Sequence, residues 1–194
     1  MVMESINPAT EEVLETFEEL TDRQLEMAVN ASQEAFEPWA GASFTERSKV
    51  LKATAERLRT EVAALAGLIT REMGKPIGEA RGEIHKCAWV CEYYADHGEG
   101  FLASEAVTTD ATRSYVRYAP LGTILAVMPW NFPFWQVFRA AAPTLMAGNT
   151  VLLKHASNVP ACAARIERIL ADAGLPIGAF QNLPIGRVRT PPAG

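Results

Sequence analysis

Apolar residues recur along this chain in two different rhythms, and the change falls near residue 111. Before it, apolar positions stand three and four apart, the spacing of one face of a helix. After it, short continuous apolar runs alternate with helical stretches. The N-terminus differs from both. Glu4–Ile6 is extended, Asn7-Pro8-Ala9-Thr10 has turn chemistry and Val13–Phe17 is a second short strand, so a hairpin is predicted.

Thr21-Asp-Arg-Gln24 is a capping box that opens a helix with Leu25, Val29, Ser32 and Phe36 on one face, and Pro38-Trp39 is expected to end it. Ser43-Phe-Thr-Glu46 is a second box. Val50, Leu51, Thr54, Leu58, Val62, Leu65 and Ile69 then predict one continuous helix up to the stop at Gly74-Lys75-Pro76. A third helix is predicted from Ile77 to His97 on the stripe Ile77, Ala80, Ile84, Cys87, Cys91, Tyr94.

Thr112–Tyr118 is rich in β-formers and carries two arginines, which predicts a solvent-flanked or interface strand. Gly122–Met128 is an uninterrupted apolar run, predicted as a strand buried on both faces. A helix over 133–146, a strand at Thr150–Leu153, a helix over 160–173 and a strand at Phe180–Ile185 follow. That β-α-β-α-β order makes a parallel sheet, whose ligands bind beyond the carboxyl ends of the strands. The rule points to Met128–Asn131, Lys154–Ser157 and the residues after Ile185. The expected class is α/β: a hairpin and helical block over 1–110, a strand over 111–119, an incomplete Rossmann-like sheet over 120–186 and an off-pattern tail over 187–194.

Composition narrows the function. The 194 residues are 48% hydrophobic and 21% charged, ordinary for a globular chain, and no apolar stretch reaches the ~18 residues of a membrane span. The acidic start lacks a secretory pattern, and three cysteines make no disulfide framework, so a reducing cytoplasm is expected. Residues 1–40 carry ten acids against Arg23 alone, net −9, while the remaining 154 residues carry +4. This reads as a solvated acidic face. No basic cluster with interleaved aromatics is present, so nucleic acid is not an expected partner.

Candidate chemistry is sparse. Neither GxGxxG nor GxxxxGK[ST] occurs, nor HExxH, nor paired CxxC. Cys87 and Cys91 share a helix face without a converging ligand set, and Cys162 opens a helix without a base in reach, so all three read as packing. The string Met128-Pro129-Trp130-Asn131-Phe132-Pro133-Phe134-Trp135 stands out. Two prolines bracket Trp-Asn directly after a strand, leaving Asn131 where a strand end meets a helix N-terminus. Two readings of Asn131 stay open here: its amide donates to a developing oxyanion, or it caps the helix.

At this string the chain resembles the aldehyde dehydrogenase superfamily. The similarity runs from INPATEEVLETF (6–17) through REMGKPIGEARGEI (71–84) to PLGTILAVMPWNFPFWQVFRAAAPTLMAGNTVLLKHASNVP (120–160) and AGLPIGAFQN (173–182). The LKHASNVP string is similar to the succinate-semialdehyde subgroup. The resemblance implies that Asn131 stabilises the oxyanion, that Val127, Met128, Pro129 and Trp130 line a nicotinamide cofactor, and that Lys154, Ala156 and Ser157 form the cofactor turn. Ser157 stands where a glutamate would repel a 2′-phosphate, so NADP is the preferred cofactor and NAD a possible one.

Arg139 lies eight residues after Asn131 on one helix face with Trp135 and Gln136. These three are the expected substrate residues, Arg139 gripping the distal carboxylate of a semialdehyde. The alternative is a surface arginine paired with a nearby acid. The 111–119 strand implies a homo-oligomer. The family's nucleophilic cysteine and general-base glutamate segments do not occur in these 194 residues. The chain is therefore expected to be an inactive N-terminal part of such an enzyme, the alternative being a non-catalytic dinucleotide-binding or oligomerising module.

Overall fold

A computed structural model describes residues 2–186; the expected tail over 187–194 lies outside the described residues. The chain opens with β1 (Val2–Ile6) antiparallel to β2 (Val13–Glu18), Met3 opposite Phe17, with a bulge at Ser5/Ile6. Asn7 Oδ1 accepts from Ala9 N–H at 3.0 Å inside the turn, as its Asn-Pro chemistry predicts.

Four helices follow: α1 (Asp22–Gly41), α2 (Phe44–Thr60), α3 (Val62–Met73) and α4 (Ile77–Phe101). Both capping boxes form. Gln24 Oε1 accepts from Thr21 N–H at 2.9 Å and Glu46 Oε2 from Ser43 N–H at 2.7 Å. Three boundaries differ from expectation. α1 runs through Pro38 to Gly41, because Pro38 lies on the exposed side while buried Trp39 donates from Nε1 to Leu145 O at 3.0 Å. The long helix expected after Ser43 breaks at Glu61, and the break turns α3 so that it meets both α4 and α6 (Pro160–Asp172). Glu61 pairs there with Arg165. α4 continues one turn beyond His97.

The strand expected over 112–118 shortens to β4 (Tyr115–Val116), paired antiparallel with β3 (Glu105–Ala106). Both are exposed, and a two-residue ladder is all that forms among the described residues.

β5 (Thr123–Met128), β6 (Thr150–His155) and β7 (Phe180–Asn182) make a parallel sheet in the order β5-β6-β7, crossed by α5 (Trp135–Met146) and α6. β6 is two residues longer than expected and β7 three shorter. The prediction that β5 is buried on both faces is overturned: Leu125 is 60% and Val127 67% exposed, while Ala126 between them is buried. β6 has a neighbour on each edge. β5 has one, and its Leu125 and Val127 side chains face a cleft instead of packing into the core. Asn149 Oδ1 ties the strand starts by accepting from Leu121 and Gly122 N–H at 2.6 and 3.1 Å.

One apolar core joins the helical block to the sheet. Leu51, Leu58, Ile69, Ile84, Cys87 and Cys91 pack in the same cluster as Phe134, Phe138, Leu145 and Ile166. The cysteine stripe is therefore packing, and burial raises both thiol pKa values. α1 lies across β6 and β7, and at Gly178 (φ 87°) a Cβ would stand 2.4 Å from the Ala31 carbonyl oxygen, so only glycine admits this approach.

Candidate active and cofactor site

The register of the sheet places the ends of β5 and β6 side by side: Val127 pairs with Lys154 and Met128 with His155. Beyond these ends lies a cleft of ≈ 760 Å³. Leu125, Val127, Met128, Lys154, His155 and Ala156 line it from the sheet, and Glu19, Leu20, Asp22, Leu25, Ile185 and Gly186 complete the lining. The cleft thus takes in part of each segment named by the strand-end rule, namely Met128, Lys154 to Ala156 and Gly186, while Asn131 and Ser157 do not line it. Leu20 and Ile185 meet because Leu20 N–H donates to Pro184 O at 2.9 Å, closing a contact between distant parts of the chain. Lys154 is half-buried, its Nζ donating to His155 O at 2.9 Å; Ser157 is exposed on the following turn. Pro129 and Trp130 are exposed beyond the strand end and are not part of the cleft lining.

His155 is itself buried. Ala156 N–H occupies Nδ1 at 2.8 Å, so the ring proton sits on Nε2 and is donated to Pro133 O at 2.9 Å. Burial, with Lys154 nearby, pushes its pKa below the ordinary imidazole value.

A second cleft of ≈ 390 Å³ lies between the start of α5 and α4. Phe132, Trp135 and Gln136 line one wall, and Glu79, Gly82, Glu83 and Lys86 of α4 the other. Lys86 Nζ stands 4.0 Å from the centre of the Trp135 ring. Arg139 lies one turn further along the same face of α5, exposed and outside this lining, and no acid pairs with it among the described residues.

Asn131 itself is exposed. The capping reading is not what forms. The N-cap position of α5 is Phe134, and its first N–H groups are taken by Glu83, whose Oε1 accepts from Phe134 and Trp135 at 2.9 and 3.0 Å. The positive end of α5 is therefore already met by a carboxylate. α6 is capped likewise: the carboxylate of Glu72 accepts from Ala161 and Cys162 N–H, each at 2.8 Å. Burial, together with the Glu72 charge, raises the Cys162 pKa, the reverse of what its helix-opening place alone implies. Neither the anchors of the segment after Asn131 (Lys75, Glu83 and His155) nor the α6 cap supplied by Glu72, which lines neither cleft, was legible in the sequence. Three sit within helical stretches or at a helix stop, and their partners lie far along the chain.

The aldehyde dehydrogenase family profile matches residues 1–190. A probable NADP-dependent succinate-semialdehyde dehydrogenase of Synechocystis is 51% identical over 186 residues, 96% of this chain and 41% of that protein. The NAD(P)-dependent succinate semialdehyde dehydrogenase Sad of Escherichia coli is 43% identical over 91% of this chain and 38% of its own length. The crystal structure of succinic semialdehyde dehydrogenase from Streptococcus pyogenes with NADP superposes with a TM-score of 0.92 at 37% identity, covering 95% of this chain and 41% of that one. The chain spans about two fifths of the length of the relatives it matches. No helix among the described residues is long and apolar enough to cross a membrane. With its incomplete parallel sheet, its likeness to solved dehydrogenase structures and a family profile that spans nearly every residue, the chain belongs to the aldehyde dehydrogenase family.

Proposed function

We propose that this chain is the N-terminal part of an NADP-dependent dehydrogenase that oxidises succinate semialdehyde to succinate. One observation carries the reading: Met128 lines one cleft, Phe132 lines the other, and Asn131 stands in the short segment between them. A cofactor in the larger cleft and an aldehyde in the smaller one would meet at the Asn131 amide.

The residues present fit a nicotinamide dinucleotide phosphate. Leu20, Leu125, Val127 and Ile185 supply apolar walls for flat rings, and Lys154 with the exposed Ser157 hydroxyl supplies a cation and a donor for a phosphate. Val127, Met128, Pro129, Trp130, Lys154, Ala156 and Ser157 are the proposed cofactor residues, and NAD is the weaker alternative. When bound, the cofactor accepts hydride from the substrate. Asn131 donates its side-chain N–H to the oxyanion formed on attack at the aldehyde. Trp135 and Gln136 form the substrate wall, and Arg139 takes the distal carboxylate.

Cys87, Cys91 and Cys162 are all fully buried with raised pKa values, which supports placing the nucleophile outside these 194 residues. The whole enzyme is a homo-oligomer in this reading, with 111–119 as its oligomerisation strand, 1–110 as the helical block and 120–186 as the partial dinucleotide-binding unit.

The test is a completed enzyme, residues 1–186 continued by the remainder of the Synechocystis relative. It should reduce NADP with succinate semialdehyde, and the 194-residue chain alone should not. A folded completed enzyme that binds NADP without turnover overturns the reading in favour of a non-catalytic dinucleotide-binding module.

A further inference from the structure

The four residues after Asn131 are each fastened by a buried or half-buried group from elsewhere in the chain. Lys75 Nζ stands 3.7 Å from the centre of the Phe132 ring. His155 Nε2 donates to Pro133 O at 2.9 Å. Glu83 Oε1 accepts from Phe134 and Trp135 N–H at 2.9 and 3.0 Å, and its Oε2 pairs with Lys75 Nζ. The Lys75 and Glu83 side chains are only 6% and 1% exposed.

A buried ion pair is an expensive way to end a helix, since desolvation offsets most of its attraction, and a Ser or Asp at the cap position would serve α5 more cheaply. Glu72 shows the simpler arrangement, capping α6 with no cation paired to it among the described residues. What the Lys75–Glu83 pair adds is a hold on the backbone and on the Phe132 ring at once, next to the proposed oxyanion donor. A donor stabilises developing charge only if it is already in place, and misplacement by about 1 Å costs on the order of a hundredfold in rate.

We propose that the Lys75–Glu83 pair is a positioning device for the Asn131 amide, with Glu83 as its principal residue and His155 as its second anchor. This rests on the oxyanion role proposed for Asn131. Glu83 lines the smaller cleft, but one of its oxygens is taken by the Phe134 and Trp135 N–H groups and the other by Lys75 Nζ, so it acts through the 132–135 backbone.

In the completed enzyme, Glu83→Gln keeps an acceptor and removes the charge. It should lower kcat by roughly tenfold or more, with the KM for NADP within about twofold. Glu72→Gln removes a matched helix-capping charge and should lower the melting temperature while kcat stays within about twofold. In an Asn131→Ala background, adding Glu83→Gln should change kcat by less than about twofold, because the donor it positions is gone. Losses that multiply in the double variant, or an equal kcat loss in Glu72→Gln, overturn the proposal and leave Glu83 a structural residue. Full kcat in Asn131→Ala alone overturns the oxyanion reading, and the positioning role with it. Should Glu83→Gln fail to fold, Lys75→Met/Glu83→Gln leaves no lone buried charge and is read by the same outcomes.

Discussion

Glu72 and Cys162 lie 90 positions apart, yet the carboxylate of the first accepts from the backbone N–H of the second at 2.8 Å. Its other oxygen takes Ala161 N–H, so one side chain from the end of α3 satisfies both open donors of α6. Glu72→Ala leaves these N–H groups buried and unpaired and should cost about 2 kcal/mol. Glu72→Gln keeps one acceptor and should cost less. Thermal melts of both variants check the order, and a melt of Glu72→Ala equal to the unmutated protein would refute it.

His155 makes stability depend on pH in a definite direction. A free imidazole takes a proton near 6.5, and burial lowers that value in the fold. The unfolded chain therefore binds the proton more readily. The stabilisation is complete above about pH 6.5 and is lost as pH falls below it toward the folded value. Protonation also removes the Nδ1 acceptor that Ala156 N–H uses. The melting temperature should fall between pH 7 and pH 5. His155→Gln keeps a donor for Pro133 without titrating and should flatten that slope; an unchanged slope assigns it to other groups.

Cofactor preference is expected to turn on residue 157. Ser157, an uncharged hydroxyl, is exposed on the turn after Lys154. Ser157→Glu in the completed enzyme should reverse the preference from NADP to NAD, shifting the ratio of kcat/KM values by roughly a hundredfold through repulsion and a lost donor. An unchanged ratio would remove Ser157 from the cofactor site.

Arg139 carries the substrate prediction. It is exposed, on the α5 face that also presents Trp135 and Gln136. Arg139→Ala should lower kcat/KM for succinate semialdehyde by about a hundredfold, the scale of a lost charge-assisted pair, and hardly alter it for butyraldehyde. Equal losses on the two aldehydes would end the carboxylate role.

Local signals were legible and formed as read. The two capping boxes close over three residues each, and no distant contact is needed to form them. The alternation of apolar runs and helical stripes after residue 120 specified a parallel sheet, and with it the end of the sheet where the large cleft lies. The Pro-Trp-Asn segment stood out because its prolines forbid continuing either neighbouring element. Periodicity failed at Glu61, where the apolar stripe runs on while the backbone turns to serve two packing partners. It failed again at β5, because an apolar run records what a strand is suited to pack against and not what lies over it here.

What the sequence determined by itself is what depends on neighbours a few residues away: the helix starts, the parallel sheet implied by the β-α-β alternation, and the unusual turn that carries Asn131. Only the tertiary structure decided which carboxylates cap α5 and α6, that His155 anchors Pro133, and that Leu20 and Ile185 close the cleft over β5 and β6. Glu83 reaches its partners across 51 and 52 positions and Glu72 across 89 and 90. A glutamate in a helix carries no local mark of such a contact. Its partner is a backbone N–H, which every residue but proline possesses, so nothing in the side-chain pattern points to it before the core has brought the two helices together.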